Sequence, residues 1–158
     1  MPTRGSAMDA ARGSVGIGSS SFRPSKFTLL VAEDDPSDRA LLERLLVSAG
    51  LASVRFVSSG EAVIDYLAGR GRYAERDLHP YPHVLLLDLG MPGGSGAGVL
   101  QWMANHTELP TCSIYVLTDS RDPVVRRQAV GLGVAGFFHK PLSLAHISWI
   151  LEDRMALI

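Results

Sequence analysis

The stretch HVLLLDLGMP, residues 83–92, sets a carboxylate at the end of a short apolar run and directly before a loop that contains glycine and proline. An apolar run of this length without polar alternation is typical of a strand buried on both faces of a parallel sheet. Asp88 would then lie at the carboxyl end of that strand, where such sheets bind their ligands.

Polar or charged groups follow three further apolar runs. The runs and the groups after them are residues 27–32 with Glu33-Asp34-Asp35, residues 113–117 with Thr118, and residues 136–139 with Lys140-Pro141. Because the carboxyl ends of parallel strands meet at one edge of a sheet, we expect these acids, the hydroxyl and the amine to converge. Together they could bind a divalent cation and a phosphoryl group.

Segments with helical spacing of apolar residues separate the predicted strands. Pro36 and Pro123 are typical first residues of a helix, Ser58 or Ser59 can cap another, and Gly50 can end the first. After the first strand, the predicted strands lie near 54–57, 84–87, 114–117 and 136–138. Two further predicted helices follow Gly96 and cover 144–151. Five strand–helix units of this kind predict an α/β protein with a parallel sheet covered on both faces.

Composition limits the function classes. A chain of 158 residues suggests one domain, and a net charge of -1 gives no reason to expect nucleic acid as a partner. The single cysteine, Cys112, excludes an internal disulfide and a cysteine metal cluster; it is either a small packing residue or a reactive thiol. These features fit the cytoplasm, and no apolar stretch approaches the roughly 20 residues that cross a bilayer.

Two segments stand apart from the strand–helix pattern. Residues 1–25 are rich in glycine and serine, so we expect a disordered tail ahead of a domain over 26–158, with docking as the alternative. Residues 69–82 are longer than a usual connection of about 2–6 residues. Their arginines, tyrosines and prolines indicate either a recognition surface or an extended second helix followed by a turn.

From about residue 26 to 153 the chain resembles a response-regulator receiver domain of two-component signalling. The resemblance is carried by Glu33-Asp34-Asp35, Asp88, Met91-Pro92 with Gly96, Thr118 and Lys140-Pro141, in this order. It implies a flavodoxin-like, doubly wound (βα)5 fold whose five-stranded parallel sheet has the strand order 2-1-3-4-5. Residues 65–73 and the long loop further resemble single-domain receivers paired with phytochrome-type histidine kinases.

The resemblance implies that Asp88 is the phosphoacceptor and that the site binds Mg²⁺. Asp34 and Asp35 are the favoured metal acids, together with Asp88 and the backbone carbonyl of Gly90, and Glu33 is a weaker candidate. A carboxylate cluster is also favoured by the dipole of the helix that follows it. That alternative explains the acids after the first strand but not the position of Asp88.

The resemblance also assigns roles at the last two strands. Lys140 would place its ammonium on the phosphoryl oxygens, and Pro141 would follow it as a cis-proline. Thr118 would donate its hydroxyl to the phosphoryl group. Phe137 would be the aromatic switch residue, although an ordinary core position is the alternative, and strand alternation points Phe138 to the opposite face.

Three residues depart from the usual pattern or adjust it. Asp119 stands where a small neutral residue is usual, so it could repel a phosphoryl group or turn outward as a helix cap. Gly90 and Ser120 occupy the positions that control attack by water, and both are too short to orient it. We therefore expect slow self-dephosphorylation.

The expected output is by protein contacts. We expect no output domain after the last helix, and hence no direct DNA binding; no membrane association is expected either, because no apolar stretch is long enough to span a bilayer. The expected partners are a histidine kinase that docks on helix one, an unidentified downstream protein, and a second copy in a homodimer through helix four, strand five and helix five. Candidate interface residues are His146, Trp149 and residues 155–158.

Rival functions are less consistent with the residues. An aspartate-nucleophile phosphohydrolase would carry a second carboxylate where Gly90 stands, and a flavin phosphate would be repelled by the acids after strand one. A receiver-like scaffold that is never phosphorylated stays open because of Asp119. In the favoured interpretation the chain is not a conventional enzyme, because it catalyses only its own phosphorylation and dephosphorylation.

Overall fold

The computed structural model describes residues 27–51, 53–92 and 95–155. The tail predicted over 1–25 and the last predicted interface residues, 156–158, lie outside this range. The strands are β1 (Leu29–Ala32), β2 (Val54–Val57), β3 (Val84–Asp88), β4 (Ser113–Thr118) and β5 (Gly136–His139). The helices are α1 (Pro36–Ser48), α2 (Gly60–Ala68), α3 (Ser95–Ala104), α4 (Pro123–Gly131) and α5 (Leu144–Met155), with a short 3-10 turn at Gly71–Tyr73.

The five strands form one sheet in the order β2-β1-β3-β4-β5, and every neighbouring pair is parallel. This confirms the predicted doubly wound architecture. The order reverses direction between β1 and β3, and the ends of these strands carry the acids that the sequence singled out.

Alternate residues of each strand feed two separate cores. Leu30, Leu85 and Val116 pack with α2 and α3, whereas Val31 and Leu86 point to the other face and pack with α1 and α5. The strands are apolar on both faces because helices cover both sides of the sheet. Phe137 and Phe138 follow the same alternation, the first packing against one core and the second against the other, as predicted.

Side chains at the helix starts explain where the helices begin. Asp35 caps α1, Ser59 caps α2 and Asp122 caps α4, each by accepting a backbone N–H of the first turn. Of the two serines that the sequence offered for α2, the structure selects Ser59. Asp119 is exposed, but it does not cap the following helix as one alternative expected, because Asp122 holds that position.

The long connection before β3 folds back on α2. The helix ends at Ala68 with Gly69 in the left-handed conformation, so the prediction of an extended second helix is wrong. Arg76 donates to the backbone oxygens of Tyr66 and Leu67 at 2.8 Å, and the Tyr66 oxygen also accepts the Gly69 N–H, so Arg76 adds donors at the carbonyl end of the helix. The loop is therefore an ordered structure built on the end of α2.

Candidate functional site

The carboxyl end of β3 holds Asp88 in a defined position. The residue is 3% exposed, and its Oδ1 accepts a hydrogen bond from the backbone N–H of Gly90 at 2.8 Å. The next residue, Leu89, donates its N–H to the backbone oxygen of Leu117 on β4 at 2.9 Å. The sheet ladder thus continues past the strand and fixes the loop from which the carboxylate projects.

Lys140 brings its ammonium to this carboxylate from the end of β5. Its Nζ lies 2.9 Å from Asp88 Oδ2, 3.0 Å from Asp38 Oδ2 and 2.8 Å from Glu33 Oε1. The Lys140 side chain is 12% exposed, so these contacts are largely shielded from water. The predicted convergence of strand ends β1, β3 and β5 is therefore present in the structure.

Strand alternation explains why these three groups meet. Glu33 lies two residues beyond Val31, Asp88 two beyond Leu86, and Lys140 two beyond Phe138. Those apolar residues all belong to the core on the α1 and α5 side of the sheet. Residues two apart along an extended chain share a face, so all three polar side chains emerge on that same side.

The structure groups a different acid pair from the favoured one. Oxygens of Glu33, Asp34 and Asp88 lie within 4.8 Å of one another, a spacing that suits one divalent cation. Glu33 and not Asp35 accompanies Asp34, because the Asp35 carboxylate accepts the Asp38 N–H at 2.8 Å as the cap of α1. Glu33, the weaker metal candidate from the sequence, thus lies closer to the centre of the cluster than Asp35 does.

The donor set fits a hard cation. Glu33 is fully buried, and its Oε1 makes no directed hydrogen bond although Lys140 Nζ lies nearby. A buried carboxylate oxygen in this state has a lone pair available for a metal ion, and Mg²⁺ prefers such oxygen ligands. The cluster is therefore compatible with a divalent cation.

Burial and charge act on the two buried ionisable groups in opposite ways. Burial, the largest cause, and nearby Asp88 raise the pKa of the Glu33 carboxyl to about 7, against the lowering effect of the ion pair with Lys140. Burial lowers the pKa of Lys140, but its contacts with Asp88, Glu33 and Asp38 outweigh that effect and raise it above its ordinary value. Lys140 thus stays charged at neutral pH, whereas the Glu33 carboxyl changes its protonation state near neutral pH.

The remaining predicted residues surround this centre. Thr118 is 3% exposed at the end of β4, and its Oγ1 accepts the Ser120 N–H at 2.9 Å. The Lys140–Pro141 peptide bond is cis. Phe137 is half-buried, and the guanidinium of Arg126 lies 5.5 Å from its ring centroid, so the ring sits between the core and α4.

A cavity of about 170 Å³ opens beside the lysine. Glu33, Asp38, Asp119 and Lys140 line it, together with apolar residues of α1 and of the segment after β5. Asp119 therefore contributes to the negative charge of this cavity. Its backbone oxygen lies 3.0 Å from Nε2 of His139, which joins the loop after β4 to the end of β5.

Asp38 is the site residue that the sequence reasoning missed. It lies in the first turn of α1, one helical turn before the buried Leu42, and so it faces the sheet. This helical spacing was a usable signal. Its contact with Lys140, 102 residues further along the chain, could not be read from the spacing alone.

The match to known proteins agrees with this geometry. Residues 29–152 match the model of the response regulator receiver domain. The chain belongs to this family.

Solved structures of other receiver domains are similar in sequence and fold. RPA3017, a response regulator in red light signaling of R. palustris, is 32% identical with a TM-score of 0.70, over 78% of this chain and 88% of that one. The bacteriophytochrome response regulator AtBRR is 30% identical with a TM-score of 0.69, over 82% of this chain and 93% of that one. This receiver domain thus resembles response regulators of phytochrome systems, as predicted.

Curated relatives include longer proteins. The probable methanogenesis regulatory protein FilR2 of Methanothrix harundinacea is 28% identical over 80% of each chain. The DNA-binding transcriptional regulator NtrC of Klebsiella pneumoniae is 32% identical over 72% of this chain, which spans only 22% of that protein. In the part of the receiver domain that the structure describes, no helix combines the length and apolarity needed to span a membrane.

Proposed function

We propose that Asp88 of this receiver domain accepts a phosphoryl group from a histidine kinase and that the phosphorylated domain signals through altered protein contacts. One observation carries the proposal: Asp88 Oδ2 lies 2.9 Å from Lys140 Nζ, within a cluster that also includes Glu33 and Asp34. A buried nucleophilic carboxylate, a fixed cation and a candidate metal cluster are the groups that phosphoryl transfer to an aspartate requires.

The transfer step follows from these positions. A carboxylate oxygen of Asp88 would form a bond to phosphorus while the bond from phosphorus to the donor histidine breaks. The imidazole leaves with the electron pair and takes up a proton. Lys140 would hold a phosphoryl oxygen and offset its charge. We propose Mg²⁺ on Glu33, Asp34, Asp88 and, by family resemblance, the Gly90 carbonyl; when bound, it neutralises the carboxylates and polarises the phosphoryl group.

Thr118 and Phe137 are proposed to convert the chemistry into a signal. Phosphorylation adds about -1.5 to -2 charges, and the Thr118 hydroxyl can turn to donate to a phosphoryl oxygen. The hydrogen bond that Thr118 Oγ1 accepts from the Ser120 N–H links that movement to the loop before α4. Phe137 could then reorient between the core and Arg126.

A kinase of the phytochrome type is the proposed donor. The support is the similarity to RPA3017 and AtBRR at 32% and 30% identity. The homodimer and the downstream partner stay predictions. Trp149 makes edge contacts with Tyr115 and Phe138, and His146 contacts Phe138, so these two candidate interface residues also pack on their own domain.

The test is phosphorylation with phosphoramidate and Mg²⁺, followed by intact mass. The native chain should gain one phosphoryl group, Asp88→Asn should gain none, and Asp77→Asn, an exposed aspartate in the loop before β3, should behave as native. A second arm supplies purified, autophosphorylated kinases, and a phytochrome-type kinase should transfer faster than an unrelated one. Labelling of Asp88→Asn at the native rate would overturn the assignment of Asp88.

A scaffold that is never phosphorylated is the second candidate. The observation in its favour is that Asp119 lines the cavity beside Lys140 and adds negative charge where a phosphoryl group would approach. A folded native chain that gains no mass from either donor would support this candidate.

A further inference from the structure

We infer that Asp38 restrains Lys140 in the unphosphorylated state and so sets the rate at which Asp88 is phosphorylated. This inference rests on the phosphoacceptor function proposed above. It concerns a residue on α1 whose position in the site was found only in the structure.

Carboxylates surround the ammonium of Lys140. A lysine ammonium carries three N–H groups, and three carboxylates, those of Glu33, Asp38 and Asp88, lie within 3.0 Å of Lys140 Nζ. Asp38 and Asp88 accept hydrogen bonds from this ammonium and Glu33 pairs with its charge, so a phosphoryl oxygen that binds the lysine must compete with these partners. The lysine is not free to receive the phosphoryl group.

Of the three carboxylates, Asp38 competes most directly with a phosphoryl oxygen for Lys140. Glu33 and Asp88 belong to the cluster of oxygens that suits a divalent cation, whereas Asp38 does not. A cation on that cluster would share the charge of Glu33 and Asp88 and weaken their hold on the lysine. Asp38 would keep its full charge for Lys140, at 3.0 Å, and would be the main group that the phosphoryl oxygen must replace.

The first turn of α1 holds Asp38 in place. The backbone N–H of Asp38 donates to the Asp35 cap at 2.8 Å. The cap fixes the turn from which its carboxylate reaches Lys140. The side chain is 45% exposed, so water weakens the pair, and we expect a moderate effect on rate and not a block.

The experiment compares phosphorylation rates with phosphoramidate at a Mg²⁺ concentration that saturates each variant. Asp38→Asn should be labelled about three- to tenfold faster than the native chain, because one competing carboxylate and its repulsion of the donor are lost. Asp38→Glu keeps a carboxylate within reach and should stay near the native rate. Glu43→Gln removes the same charge from an exposed position on α1 and should change nothing.

A second readout excludes a merely structural effect. Beryllofluoride, a stable analogue of the phosphoryl group, should bind Asp38→Asn more tightly by about the same factor, with Asp38→Glu again near native. Asp38→Ser serves if the asparagine variant does not fold. If the native chain is labelled and Asp38→Asn is labelled no faster, the inference about Asp38 is overturned while the proposed function stands. A native chain that is never labelled, together with unchanged beryllofluoride binding in Asp38→Asn, would overturn both proposals, whereas tighter binding there would retain the restraint of Lys140.

Discussion

Replacing Lys140 by methionine should destabilise the metal-free protein in a way that depends on pH. Methionine keeps most of the aliphatic stem but removes the charge. Three carboxylates then lose their cation, and two of them, Glu33 and Asp88, have side chains that are 0% and 4% exposed. Removing one partner of a buried pair costs roughly 3–5 kcal/mol, while the exposed Asp38 pair adds less than about 1 kcal/mol.

Protonation of Glu33 reduces this cost at low pH. Its pKa is already about 7 in the fold, against 4.5 as the ordinary value, and the loss of Lys140 would raise it further. A carboxyl whose pKa is raised by folding favours the folded state while it is neutral. Its contribution to the free energy of unfolding is therefore complete below pH 4.5 and is lost as the pH rises through 7. The pKa of Lys140 is raised above 10.5, so the native ammonium contributes fully across pH 6 to 8.5.

We therefore expect Lys140→Met to lose about 3 kcal/mol at pH 8.5 and roughly half of that at pH 6. The assay is urea unfolding in EDTA, followed by circular dichroism, with Arg127→Gln on α4 as an exposed charge control. Saturating Mg²⁺ should restore part of the loss, because a ligand of the native state stabilises it. A variant as stable as native at pH 8.5, or a larger loss at pH 6, would refute the electrostatic account.

Three further predictions concern other parts of the domain. Gly96→Ala should lower the free energy of unfolding by about 1–3 kcal/mol, because its Cβ would lie 2.8 Å from Cα of Leu89, whereas Gly98→Ala in the same helix meets open space and should not destabilise; equal losses in both variants would contradict this. Burial raises the pKa of Cys112 to about 12, so Ellman's reagent should react at pH 8 at least roughly a hundredfold more slowly than in urea, and a fast native reaction would disprove it. The phosphorylated domain should lose its group over minutes or longer by intact mass, because Gly90 and Ser120 are too short to orient an attacking water; a half-life of seconds would count against it.

Local patterns predicted most of the architecture. The predicted second strand has the observed bounds, and α1 and α4 begin at Pro36 and Pro123 as expected. These features depend on neighbours in the chain, such as a proline that suits the first helical turn. β1 begins two residues later than predicted and α5 extends four residues further, since element ends depend on packing.

The site was predicted in outline. Asp88 and Lys140 stand at strand ends, and a strand end is visible in the sequence because an apolar run stops there. The acids after β1 were harder to separate, since three adjacent carboxylates have the same composition signal. Asp35 stands directly before Pro36, the typical place of a helix cap, and this signal could have favoured Glu33 over it.

By itself, the sequence determined the order of strands and helices, their two apolar faces and the identity of the groups at the strand ends. Only the tertiary structure decided which carboxylates surround Lys140. The reason is that hydrophobic periodicity specifies the face on which a residue lies but not the distance between elements. The first turn of α1 meets the end of β5 only after α1 has packed on the sheet that contains β5, which brings Asp38 to a lysine 102 residues away.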